Sequence, residues 1–345
     1  MIITSRAKLE ECTLHLVGNK LREEGVSFSK RLPSIDAENE QNLMHYFFSS
    51  FRYEELYTLY HETELMYNEV YGYVSAIFND PTTFPEESAH LARHLYQKSV
   101  HPKVRKGEFY VAYFGDCEVD GEKVNAVGLF KSENKDTFLK IHANADSFEI
   151  ESQQGVNINK LEKGCLIFNT KRDEGYVVAI VDNINKSMEA KYWTEDFLHV
   201  RRQRNDFNST TDMLSLFNGF VANELPADYN KVEQAFMLRK TLDTIKKRKQ
   251  VNLPDVAEEV FNDPALLERF ENYQKEFAQQ HEMHIPEVFE VSEPALKKKG
   301  KGTMQVIRLD RNFDLRIHGG EQQIERGYDE ERGMHYYKLY FKEEK

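Results

Sequence analysis

The sequence predicts an α+β protein: N-terminal helices with an antiparallel β-meander, then a helical segment and a small C-terminal β-sheet. Three observations predict it. Before residue 100 the apolar residues recur at helical spacing, as in Met66, Val70, Tyr73 and Ile77. From Gly107 the period shortens to that of strands, with turn residues between the runs. From Ser209 helical spacing returns, and after Pro286 the chain reads as extended. The expected division is residues 1–204, carrying the antiparallel sheet, and residues 205–345, carrying the helical segment and the small β-sheet.

In chain order, Leu9–Val17 alternates and reads as a strand, closed by Gly18-Asn19 and partnered by Gly25–Ile35. Ala37–Phe51 forms a helix with Leu43, Tyr46, Phe47 and Phe51 on one side, and Leu65–Phe78 forms another, stopped at Asp80-Pro81. Thr83-Phe84-Pro85-Glu86 has the pattern of a capping box with proline in the first turn, and opens a helix through Gln97. Six strands follow: Glu108–Cys117, Lys123–Lys131, Thr137–Ala143, Phe148–Ile158, Cys165–Thr170 and Tyr176–Asp182. Their links, including Asp120-Gly121 and Glu133-Asn134, are hairpin-sized. Phe109–Phe114 is apolar on both faces, so helices must cover both sides of the sheet or the sheet must fold over itself.

Glu189–Leu198 reads as a short helix around the sole tryptophan, Trp193. Ser209–Asp212 reads as the cap of a helix with Met213, Leu216, Phe217, Phe220 and Val221 on its face, ended by Pro226. Asn230–Lys249, Asp255–Phe261 and a helix opened by Asp263-Pro264 complete the segment. The stripe Leu266, Phe270, Tyr273 and Phe277 of that last helix is either core or the seam of a homodimer. Pro294–Gly302 reads as a flexible basic link. The strands Met304–Leu309, Phe313–Ile317, Gln322–Gly327 and His335–Phe341 build the terminal sheet.

Composition narrows the function classes. The chain has 345 residues and a formal net charge of −12, which argues against a surface that attracts nucleic acid everywhere but leaves room for a local basic patch. No apolar run reaches the ~18–20 residues a membrane helix needs, and Met1–Leu16 has no signal-peptide core. Cys12, Cys117 and Cys165 are odd in number and far apart, which fits a reduced cytoplasmic protein with thiols used as small core residues.

No pattern supports catalysis or a cofactor. His90 and His94, and again His281 and His284, stand one helical turn apart, but without the third or fourth ligand a metal site wants. Gly300–Thr303 lacks the spacing of a phosphate loop and precedes a strand rather than a helix. There is no serine-nucleophile elbow and no cysteine–histidine signature.

Basic clustering is the stronger signal. Arg201, Arg202 and Arg204 form an elbow between Phe197 and Phe207. Arg239, Lys240 and Lys246–Lys249 set six cations against Asp243, and Lys246, Lys247 and Arg248 sit where a helix C-terminus favours positive charge anyway. Lys297, Lys298, Lys299 and Lys301 lie in the presumed link, where no helix dipole would call for them. Such a strip can follow a phosphate backbone without reading bases.

Several stretches, in order, resemble the NdpA/YejK family of bacterial nucleoid-associated proteins. They are Leu14–Lys20, Tyr192–Leu198, Leu216–Leu225, Lys299–Gly302, Asn312-Phe313-Asp314 and Tyr336–Leu339. The resemblance spans nearly the whole chain. It implies a cytoplasmic, nucleoid-located, DNA-binding protein with no catalytic residues to carry over. The expected contacts with DNA are Arg201, Arg202, Arg204, Lys246, Lys247, Arg248, Lys297, Lys298, Lys299 and Lys301. A rival expectation is an interaction protein that reaches DNA through a partner, such as a topoisomerase or another nucleoid factor.

Overall fold

The computed structural model of the chain describes residues 1–144, 147–183, 192–280, 285–303, 306–316 and 324–343. It divides into two compact units, Met1–Gln203 and Arg204–Lys345, and its class is α+β.

The first unit contains β1 (Ile2–Ile3), β2 (Lys8–Val17), β3 (Val26–Ser27), α1 (Ala37–Phe48), β4 (Leu56–Leu59), α2 (Glu69–Asn79) and α3 (Phe84–Lys98). It continues with β5 (Gly107–Val119), β6 (Glu122–Ser132), β7 (Asp136–Ala143), β8 (Phe148–Gly155), β9 (Lys163–Phe168), β10 (Val177–Asp182) and β11 (Val200–Arg202). The main sheet is antiparallel and nine-stranded, in the order β11-β4-β10-β9-β6-β5-β2-β3, with β1 pairing β5.

Side-chain alternation sorts this sheet into two cores. Phe109, Val111, Val127, Leu129, Ile167 and Val178 face one side, where α2 and α3 bring Val70, Val74, Ile77, Leu91 and Leu95. Ala112, Phe114, Ala126, Phe130, Leu166 and Phe168 face the other, under Tyr46, Phe47 and Phe51. The Phe47 ring stacks on Phe130 with centroids 4.1 Å apart. Helical segments therefore cover both faces, as the doubly apolar strands require.

Several local expectations need correction. Thr137–Ala143 and Phe148–Ile158 are not members of the main sheet: β7 and β8 pair only with each other, as a ribbon inserted between the adjacent strands β6 and β9. The partner strand expected over Gly25–Ile35 shrinks to the two residues of β3, and β2 pairs along most of its length with β5. The helix expected from Leu65 breaks into a 3-10 turn, Leu65–Tyr67, and α2, because Asn68 leaves the helical conformation to cap α2 through Tyr71 N at 2.8 Å. Thr83 makes no side-chain cap; Asp80 accepts from Thr82 N and starts a 3-10 turn ahead of α3. The tryptophan segment is a π-turn over Tyr192–Phe197, and Glu189 lies outside the described residues.

The strand β4, between β10 and the edge strand β11, escapes sequence reading and is fixed by backbone. Leu59 N donates to Gly175 O at 2.9 Å. At Gly175, φ is +95° and a Cβ would stand 1.9 Å from Leu59 O, so only glycine lets the strand approach.

The second unit contains α4 (Asp206–Asn223), α5 (Lys231–Lys246), β12 (Gln250–Asn252), α6 (Leu253–Phe261), α7 (Pro264–Gln280), β13 (Val288–Glu290) and α8 (Glu293–Thr303). Two ribbons, β14 (Val306–Leu309) with β15 (Phe313–Arg316) and β16 (Ile324–Asp329) with β17 (Met334–Leu339), take the place of a single terminal sheet. Met304, Ile317 and Gln322 lie outside the described residues. Asn205 caps α4, and Ser209–Asp212, expected as the cap, are buried inside the helix. Asn230 and Glu233 form a reciprocal capping box on α5. The α7 stripe is core: Leu266, Phe270 and Phe277 are buried, and Phe270 packs between Phe217 and Phe261.

Candidate nucleic-acid interface

The presumed flexible link is a helix. In α8, Ala295, Leu296 and Gly300 are buried while Lys297, Lys298 and Lys299 point outward. That spacing of one and four is one helical stripe, and the stripe docks against α4 and α5. Val291 N donates to Lys249 O at 2.7 Å, Glu290 N to Asp206 Oδ1 at 3.2 Å and Ser292 N to Thr210 Oγ1 at 3.0 Å. A Cβ on Gly300 would meet the Leu242 side chain at 3.5 Å. So α8 starts beside the C-terminus of α5 and runs back along it.

The pairing of residues 249 and 291 brings the chain ahead of α8 to the C-terminus of α5, so two basic segments some 50 residues apart in sequence lie on adjoining helices. Lys246, Lys247 and Lys249 are exposed at the end of α5, and Arg204 is exposed just before the α4 cap. None of these four is in an ion pair with another described residue. Lys298 Nζ lies 5.4 Å over the Phe207 ring, which orients it at the start of α4. Lys297, with a side chain 80% exposed, is 3.9 Å from Glu293, a pair too loose and too wet to hold its charge.

Other expected contacts stand elsewhere or are occupied. Arg248 is paired with Glu259 at 2.6 Å, and Glu259, which also accepts from Thr244, is held below the usual carboxylate range first by that hydrogen bond and then by Arg248. Arg201 and Arg202 belong to the edge strand β11 of the first unit, not to a loop with Arg204. They point to opposite sides of it. Arg201 is exposed with its guanidinium 5.4 Å over the Tyr60 ring, and Arg202 Nε is 3.4 Å from Glu55. The Lys301 side chain lies outside the described residues.

Chemistry of other kinds has weaker footing. His94 Nε2 donates to Phe197 O at 3.1 Å, and His90 pairs with Glu87, so the two rings serve different partners. His281 and His284 lie outside the described residues. Among the described residues no group of three or more His, Cys, Asp or Glu could hold a metal ion. The three free cysteines are buried, and burial pushes the Cys12 and Cys117 thiols up to about 12, where they are poor nucleophiles. A cleft of about 620 Å³ on α5 and α6 sets Arg239, Lys240 and Lys247 against Glu233, Asp243 and Glu259, a balance that gives it no net pull on anions.

Sequence reading missed one polar cluster. Lys131 and Lys163 are wholly buried beside Glu133, Asp182 and Tyr192 in the first unit. The available signal was a lysine flanking each of two apolar runs, Ala126–Phe130 and Cys165–Phe168.

Fold and surface thus define a two-unit α+β chain whose second, helical unit carries exposed basic segments. The chain belongs to the family of the nucleoid-associated protein YejK, whose sequence profile matches residues 13–333. The match stops short of the Tyr336–Leu339 motif. No curated protein matches the chain significantly. No helix among the described residues is long and apolar enough to cross a membrane.

Proposed function

We propose that this chain is a non-enzymatic, cytoplasmic protein of the bacterial nucleoid that binds DNA largely without regard to sequence. One observation carries the reading: α8 packs along α5, so the exposed lysines of both helices lie on one helical unit of a chain whose net charge is −12. Membership of the YejK family supports the nucleoid location. The contacts are Lys246, Lys247, Lys297, Lys298, Lys299, Lys301 and Arg204, with Arg201 as a separate contact. Arg202 and Arg248 already face Glu55 and Glu259 and contribute less. Phosphate contacts of this kind position a duplex and leave its sequence unread.

Neutralising about five phosphates gives log K against log salt a slope of about −4 to −5. Gel shifts from low to moderate salt measure it. Replacing Lys297, Lys298, Lys299 and Lys301 by Ala should weaken binding evenly across sequences and flatten the slope. Binding absent at low salt, or unchanged by the four substitutions, defeats the reading. The acidic total favours one competing reading, recruitment through a partner such as a topoisomerase or another nucleoid factor. Partners still captured from nuclease-treated lysate would favour it.

A further inference from the structure

We infer that the first unit carries a nucleic-acid contact of its own: a basic face built where the β2–β3 loop docks on α3 and on the loop leading into β5. Lys20, Arg22, Arg93 and Lys103 form it, and all four are exposed. The face shares no residue with α5 or α8. It extends the DNA-binding reading to a second surface without resting on the lysines proposed above.

Hydrogen bonds bring these residues together from distant parts of the chain. Lys20 N donates to Ser99 O at 2.9 Å, and the Lys20 ammonium reaches the Gln97 side chain. Gln97 and Arg93 are one turn apart on α3 and share its flank. Arg22 Nη2 donates to Pro102 O at 2.6 Å, next to Lys103 in the chain. Asn19, wholly buried, locks the junction. Its Nδ2 donates to His101 O and to Val104 O, each at 2.8 Å, and its Oδ1 accepts from Leu21 N at 2.8 Å. A Cβ on Gly18 would stand 2.4 Å from the Glu24 Cβ, so the turn needs glycine there. Gly18 and Asn19 thus hold a cationic loop in one place.

Charge selects the partner. Neither Lys20 nor Arg93 is in an ion pair with another described residue, and the Arg93 guanidinium lies 5.5 Å over the Phe28 ring. The carboxylates of the loop are Glu23 and Glu24. Glu24 accepts from Asn19 N at 2.7 Å and stands 3.9 Å from Arg22 Nη1, too far to hold that charge closely. On a chain of net charge −12, such a local surplus of cations suits a polyanion. Cations spread over three segments match the repeated charges of a phosphate backbone better than a single anion. Membership of a nucleoid-associated family makes nucleic acid the occupant rather than an anionic membrane.

Gel shifts of the full chain on a short duplex test the face. Replacing Lys20, Arg22, Arg93 and Lys103 by Gln should weaken binding about tenfold or more and flatten the log–log salt slope by about 3. Replacing Arg6, Lys140, Lys160 and Lys171, exposed elsewhere on the same unit, removes equal charge and should leave affinity nearly unchanged. Urea midpoints report whether each variant is folded. Should the loss of the Arg22 bond lower the midpoint, the pair Lys20→Gln, Arg93→Gln spares that bond and should give about half the change in slope. Binding indifferent to the first set overturns the inference, and so do equal losses from both sets. Phosphatidylglycerol vesicles that capture the wild type but not the first variant, with DNA binding unchanged, would assign the face to a membrane instead. The α8 substitutions are scored separately. If they have no effect, the earlier contacts fail and this face stands; if the first-unit set has none, the reverse holds.

Discussion

Lys131 and Lys163 stand directly opposite each other on β6 and β9, both wholly buried. Like charges so placed repel. The Tyr192 ring lies 5.6 Å from one ammonium and 5.1 Å from the other. Lys163 Nζ is held by both oxygens of Asp182 at 2.9 Å, whereas the ion pair of Lys131 among the described residues is with Glu133, at 3.1 Å. Glu133 also accepts from Tyr192 Oη at 2.7 Å. Burial pushes the Lys131 amine below its ordinary value, and Glu133 partly restores it.

This pairing makes stability depend on which partner is removed. Glu133→Gln leaves a buried ammonium without its counter-charge, which should cost about 3–5 kcal/mol. Lys131→Met combined with Glu133→Gln removes both charges and keeps an acceptor for Tyr192, so it should cost far less than Glu133→Gln alone. Urea unfolding midpoints at neutral pH test the order. If the single variant is the milder one, Lys131 does not carry its charge in the fold.

The buried imidazole of His15 links stability to acid. Its Nδ1 accepts from Ser29 N at 3.2 Å and its Nε2 donates to Ser88 Oγ, also at 3.2 Å. Both ring nitrogens are thus engaged in the neutral form. Burial lowers its pKa from 6.5 to about 4. As pH falls through that window the unfolded chain takes up a proton that the folded one refuses. The contribution is therefore intact above pH 6.5 and is lost toward pH 4. The loss is on the order of 2 kcal/mol. Unfolding free energies at neutral pH and near pH 4.5 should differ less in His15→Gln than in the wild type, by roughly that amount. Equal differences would mean that His15 is protonated in the fold.

Local pattern carried the class and much of the first unit. The continuously apolar Phe109–Phe114 run already required cover on both faces, and both cores are there. Pairing was less legible, because β7 and β8 have the same local signature as strands of the main sheet. What separates them is the direct pairing of β6 with β9, a contact remote in sequence. The cations were legible as residues, but their grouping was not. Arg201, Arg202 and Arg204 are neighbours in the chain and are split by strand alternation and by the unit boundary, while Lys249 and Val291 meet through β12 and β13. In Pro294–Gly302, four lysines and two glycines concealed a helix whose apolar anchors, among the described residues, are Ala295 and Leu296.

That helix gives a prediction that a flexible strip would not. Gly300 lies inside α8 and is buried, and its φ is outside the left-handed region. A Cβ there would meet the two Leu242 methyl groups at 3.5 and 3.9 Å, ordinary packing distances. Alanine removes the entropic cost of glycine in a helix and adds that contact, so Gly300→Ala should stabilise the protein by about 0.5–1 kcal/mol. No charge changes, so the salt dependence of DNA binding should keep its slope while the urea midpoint rises. In an unstructured link the substitution would leave the midpoint where it was. A midpoint that stays or falls would argue that the lysines of this segment are not presented on a helix.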